Sequence, residues 1–161
     1  MNANLSASDP IHQPVREPLP LTEAEVWDLA TDWYHKLDIH APLTELTPLL
    51  VEEGLRMVFP EMTAEGLEGI RQWYERVINL FFDEVHTVKE VKLTPKANWA
   101  EVKVMVKWEA SRWMPPAPHS ERIMLDAYQT WEVVRSPVSQ KPVIQTYIVD
   151  ALDYYPGSAR L

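Results

Sequence analysis

The residues of this chain that can move protons are few. His35, His40, His86 and His119 are the histidines of its folded part, and the carboxylates Asp38 and Glu84 stand two residues from His40 and His86. An imidazole titrates near neutrality and so serves as a general acid or base; a neighbouring carboxylate orients the ring, holds one tautomer and stabilises its protonated form. Glu84 precedes His86 by two residues and can share its face of an extended chain, which makes it a reserve carboxylate. Tyr34 lies one helical turn before Asp38, where its hydroxyl is placed to polarise a carbonyl or hold a water, or else to sit satisfied in a core. A metal set of Asp38, His40 and His86 is conceivable, but no tight ligand spacing repeats, so no metal is assigned. Each residue also has a purely structural reading. An aspartate at a helix end often bonds local backbone, and a strand histidine can be a hydrogen-bonded core residue.

Other chemistries are closed. The chain has no cysteine, which excludes disulfides, thiolate metal sites and thiol nucleophiles and fits a reducing compartment. It has four glycines and no glycine-rich phosphate loop. No Ser–His–Asp motif stands out. The net charge of -9 comes with no basic cluster, so neither nucleic acid nor an anionic membrane surface is an expected partner. No basic stretch leads into an apolar run, and no apolar segment approaches the roughly 20 residues that span a bilayer. A cytoplasmic location is the expectation.

The length of 161 residues suits one domain able to bury a core. Residues 1–20 are polar, carry Pro10, Pro14, Pro18 and Pro20, and read as a flexible arm; residues 21–155 read as the domain and 156–161 as a short tail. Thr22 with Glu25 forms a capping box for a first helix, on which Val26, Ala30, Trp33 and Leu37 make one stripe and Trp27, Tyr34 and Asp38 an adjacent one. Pro42 ends it. A short second helix begins at Thr44 and ends at Gly54; Leu55 to Phe59 reads as a strand, and Thr63 as the cap of a third helix facing inward through Leu67, Ile70, Tyr74, Val77 and Phe81.

After Asp83 the period becomes two. His86 and Val88 share one parity and Val91 and Leu93 the other, so a β-bulge near Lys89–Glu90 keeps all four on one face. Alternation from Ala100 to Ala110 marks a half-buried antiparallel strand, and Trp108 at the end of its inward row is placed to wall a pocket. Ile123, Leu125, Ala127, Trp131 and Val133 form the next inward row; Gln129 is its one polar member, facing either a ligand or a neighbouring side chain. Asp126 and Tyr128 then point outward. Val143 to Leu152 is apolar on both faces. Helices before strands predict α+β: helices on the concave face of a curved antiparallel sheet. Seven tryptophans mean a bulky core or an aromatic-lined pocket.

This order resembles the nuclear transport factor 2-like superfamily, in its SnoaL-like and scytalone-dehydratase-like branch, over roughly residues 20 to 155. The resemblance is carried by Trp33-Tyr34-His35-Lys36-Leu37-Asp38, by Phe59-Pro60-Glu61, by Phe82-Asp83-Glu84-Val85-His86-Thr87-Val88, by Tyr128-Gln129-Thr130-Trp131 and by the run from Val143 to Leu152. It implies a cone-shaped curved sheet, with three helices from the N-terminal half on its concave face. It also implies a pocket at the open end, reached by Tyr34, Phe59, Trp108 and Gln129, and a homodimer through the outer sheet face. It pairs Asp38 with His86 as catalytic acid/base, with no cofactor, in a lyase or isomerase acting on a small apolar oxygenated ligand by proton abstraction beside a carbonyl. The scytalone-dehydratase-like pattern has a tyrosine just before the aspartate; here that residue is Leu37. The alternative is therefore a ligand-binding or assembly module of the same fold without catalysis.

Overall fold

The computed structural model describes residues 19–161; nearly all of the expected N-terminal arm lies outside the described residues. Helix α1 spans Glu23–Asp38. Thr22 and Glu25 close the capping box at its start. Glu25 also receives both terminal nitrogens of Arg135 at 2.8 Å, tying the helix to the sheet. The inward stripe is buried as its spacing requires, with Val26, Ala30 and Trp33 at 0% exposure, and Tyr34 and Leu29 are buried beside it. The chain leaves the helix through Ile39 and through His40, which takes a left-handed φ of 50°. Helix α2 (Leu43–Leu46) and a 3-10 turn (Thr47–Leu49) follow.

Strands β1 (Arg56–Val58) and β2 (Thr63–Glu65) form a small hairpin, with Met57 opposite Ala64. This corrects the expectation that Thr63 caps the third helix. Phe59 N–H donates to the Met62 carbonyl at 2.8 Å and closes a turn at Pro60–Glu61, so Thr63 emerges extended. Helix α3 instead begins at Gly66, whose φ of 69° turns the chain, and runs to Leu80. Gly69 lets the helix lie directly on β2, since a Cβ there would sit 3.2 Å from the Ala64 carbonyl carbon.

Four long strands complete the sheet: β3 (Phe81–Pro95), β4 (Ala100–Arg112), β5 (Glu121–Arg135) and β6 (Pro142–Tyr154). The order is β2-β1-β6-β5-β4-β3, antiparallel except where β1 runs parallel to β6. The β3–β4 register shifts between Val88 and Glu90, at the expected bulge, and again between Phe82 and Val85. The second bulge sets Asp83 and Glu84 against Ala110 alone and gives Asp83 a φ of 49°. It reverses the inward parity: Phe81 is buried and Phe82 is 41% exposed, yet Glu84 and His86 face inward beyond it. The architecture is thus α+β, with three helices and one six-stranded open mixed sheet among the described residues. The core fills the space between α1, α3 and the inward rows of β4 and β5. The chain after β6 folds back along β5, with Tyr155 N–H donating to Met124 and Ala159 N–H to Arg122, both at 2.9 Å.

Candidate active site

The end of α1 and the start of β3 converge at the open end of the sheet. There Asp38 bonds His86 twice: the ring Nδ1–H donates to Oδ1 at 2.5 Å, and the His86 backbone N–H donates to Oδ2 at 2.8 Å. The carboxylate on Nδ1 assigns the tautomer, leaving a lone pair on Nε2. Nε2 has no partner among the described residues, and His86 lines a cavity of about 410 Å³. The imidazole lies between two aromatic rings, Tyr34 at 4.6 Å between centroids and 20° from parallel, and Trp108 at 6.1 Å and 23°. Its swing is restricted from both sides.

The cavity wall is mostly apolar and comes from several elements. Helix α3 gives Trp73, Tyr74 and Val77, β3 gives Phe81, β5 gives Leu125 and Ala127, and β6 gives Val149 and Leu152. Phe59 belongs to the wall and stacks flat on Trp73, 4.2 Å between centroids and 5° from parallel. Trp108 and Gln129 are in the wall as well. Tyr34 stands behind it, buried under the His86 ring. Leu37 lines the cavity in the place where the resembled pattern has a tyrosine, so that spot carries no hydroxyl.

Gln129 bonds neighbouring side chains and also lines the cavity. Its Oε1 accepts Tyr34 O–H at 2.8 Å and Trp131 Nε1–H at 2.8 Å. These donors occupy the amide oxygen and fix the side chain, which lines the cavity. Tyr147 lies 3.2 Å from the Tyr34 hydroxyl. Burial holds the Tyr34 phenol well above its ordinary range and pushes Tyr147 up to about 12, so both stay neutral donors and acceptors.

His40 does not join Asp38 and His86. Its Nε2 meets Glu84 Oε2 at 2.7 Å, while Trp108 Nε1–H donates to Glu84 Oε1 at 3.2 Å. The Tyr74 hydroxyl donates to the Ala41 carbonyl and so steadies the loop that carries His40. Among the described residues no group of three His, Cys, Asp or Glu is arranged to hold a metal ion. Glu84 was visible in the sequence only as a neighbour of His86; its link to His40 was not, because the two are 44 residues apart. On the outer face, Asp126 meets Tyr155 O–H at 2.9 Å and Lys89 Nζ at 3.1 Å, and Tyr128 is 41% exposed. No helix among the described residues is long and apolar enough to cross a membrane.

Several solved proteins share this fold. A nuclear transport factor 2-like superfamily protein from Salmonella enterica aligns with a TM-score of 0.65 at 13% identity, over 86% of this chain and 92% of that one. A hexachlorocyclohexane dehydrochlorinase aligns with a TM-score of 0.67 at 14% identity, over 86% and 91%. A ketosteroid isomerase-like protein from Erwinia carotovora aligns with a TM-score of 0.61 at 15% identity, over 78% and 92%. No family model matches the sequence, and no curated protein matches it. The chain has the nuclear transport factor 2-like fold.

Proposed function

We propose that this protein is a cofactor-independent lyase or isomerase that abstracts a proton beside a carbonyl of a small, largely apolar, oxygenated molecule. The observation that carries the reading is the Asp38–His86 pair, with Nε2 unpartnered at the cavity. With the proton held on Nδ1 by Asp38, Nε2 is the base, and a positioned base of this kind is worth about 10²–10⁴-fold in rate. The negative charge that develops on the carbonyl oxygen needs a donor, and the Gln129 amide, oriented by Tyr34 and Trp131, supplies one. The aromatic wall binds the apolar remainder by excluding water. That fold neighbours include a protein named as a dehydrochlorinase and one named as isomerase-like is in keeping with this reading.

The test is deuterium exchange at the carbon beside the carbonyl, followed by NMR in heavy water over a panel of small aromatic ketones. Wild type should exchange at least one of them, and His86→Ala should not. A second reading has its own observation, the aliphatic Leu37 where the dehydratase-like pattern has a hydroxyl: a binding or assembly module with the same cavity. Ketones that raise the melting temperature equally in wild type and His86→Ala, with no exchange in either, would support that reading instead. Under both readings the protein acts in the cytoplasm as a homodimer joined through the outer sheet face around Tyr128; sedimentation of wild type against Tyr128→Lys tests the pairing.

A further inference from the structure

Two carboxylate–imidazole pairs stand side by side where α1 meets β3, and they face the cavity in opposite order. In one, the imidazole of His86 lines the cavity and Asp38 stands behind it. In the other, the carboxylate of Glu84 lines the cavity and the imidazole of His40 stands behind it. The side chain of Glu84 is 8% exposed and that of His40 29%, so the second pair leads from the enclosed wall out towards solvent. The positions are reciprocal, carboxylate 38 with imidazole 86 and imidazole 40 with carboxylate 84. The β3 bulge brings Glu84 to the wall, and the left-handed turn at His40 brings the ring to Glu84.

We propose that Glu84 is the general acid of this site, resupplied with protons from solvent through His40. The proposal rests on the acid/base reading of Asp38 and His86. Each Glu84 oxygen keeps an electron pair free beyond the bonds from His40 and Trp108, so the carboxyl can take a proton from one side and give it to the other. The substrate class this serves is a β-hydroxy ketone. His86 Nε2 accepts the proton from the carbon beside the carbonyl, and the C–H electron pair becomes the new C=C bond. The β C–O bond breaks with its electron pair on oxygen, the protonated Glu84 gives its proton to that oxygen, and water leaves. His86 releases its proton to solvent, and Glu84 takes one from His40 Nε2. His40 is a positioning and relay residue, since it touches no substrate.

The probe is 4-hydroxy-4-phenylbutan-2-one, read two ways with one sample: deuterium exchange at its CH₂ by NMR, and absorbance of the conjugated enone formed by loss of water. Wild type should give both. Glu84→Gln should lower elimination about 100-fold or more while exchange stays within about 3-fold, since only the second step needs the acid. His40→Gln should lower elimination as well, with partial rescue by added imidazole; it decides the matter should Glu84→Gln not fold. His86→Ala should lose both readouts. Elimination retained in Glu84→Gln, or exchange and elimination falling equally in a folded Glu84→Gln or, where that variant does not fold, in His40→Gln, would overturn the role of Glu84 and leave His86 as the base. A wild type silent in both readouts overturns the acid/base reading and this one with it.

Discussion

Asp38 holds His86 at two points, ring and backbone, at 2.5 and 2.8 Å. The double attachment does more than a single bond between side chains. It anchors the start of β3 to the end of α1 and fixes the imidazole relative to the strand that carries it. A base that must meet a substrate proton within hydrogen-bond reach gains from that rigidity.

Asp38→Asn should test the tautomer directly. The amide still has one oxygen for the His86 backbone N–H, but it offers N–H to Nδ1. The ring then carries its proton on Nε2 and loses its basic lone pair towards the cavity. Deuterium exchange should fall about 100-fold or more, while binding of a ketone that cannot enolise changes little. Unchanged exchange in Asp38→Asn would mean that the aspartate only joins two elements.

Gln129→Leu should cost stability more than its single side chain suggests. It leaves the Tyr34 hydroxyl and the Trp131 indole N–H buried without their shared acceptor. The Trp131 N–H is stranded at a cost of about 1–3 kcal/mol, while the Tyr34 hydroxyl keeps Tyr147 at 3.2 Å, so urea unfolding should show a loss of about 1–3 kcal/mol.

The buried phenols set an alkaline limit. Both Tyr34 and Tyr147 have folded values raised above their ordinary 10.0, Tyr147 to about 12, through loss of water around the charged form. A raised folded value means stability that is full below the unfolded value and lost as the pH climbs past it. Stability should therefore decline from about pH 10 upward, and Tyr147→Phe should flatten that decline. Ultraviolet difference titration against unfolding at each pH checks this.

At the acid end, Glu25 titrates in the opposite sense. The Arg135 guanidinium holds its carboxyl below the ordinary 4.5, so its contribution is full above that value and is lost as the pH falls through the depressed folded value. Glu25 is about a third exposed, which keeps the contribution modest, about 0.5–1 kcal/mol. Glu25→Gln should lower stability by that amount at neutral pH and by less near pH 3, in denaturant titrations at the two conditions.

The parts of the fold that depend on near neighbours were legible. The stripe of Val26, Ala30, Trp33 and Leu37 needs only the helical period, and the change of parity between Val88 and Val91 was enough to place a bulge. The β1–β2 hairpin was not legible. Thr63 is as good a helix cap as a strand residue, and the turn that decides between them is one backbone bond, Phe59 to Met62. The bulge at Asp83–Glu84 was hidden for a similar reason. It follows directly on a helix, so no alternation precedes it against which a shift of parity could be read.

The site divides along the same line. Residue types and local periods led to the expectations that His86 shares a face with Val88, that Gln129 joins an inward row, that the first helix ends before Pro42, and that Glu84 can share a face with His86. The pairing of Asp38 with His86 was expected from the resemblance alone, and that of His40 with Glu84 was decided only in the tertiary structure. Asp38 reaches His86 across 48 residues, and His40 reaches Glu84 across 44. Those pairings depend on where α1 stops against β3, a matter of packing and of a left-handed turn at His40. Neither leaves a periodic trace in the chain.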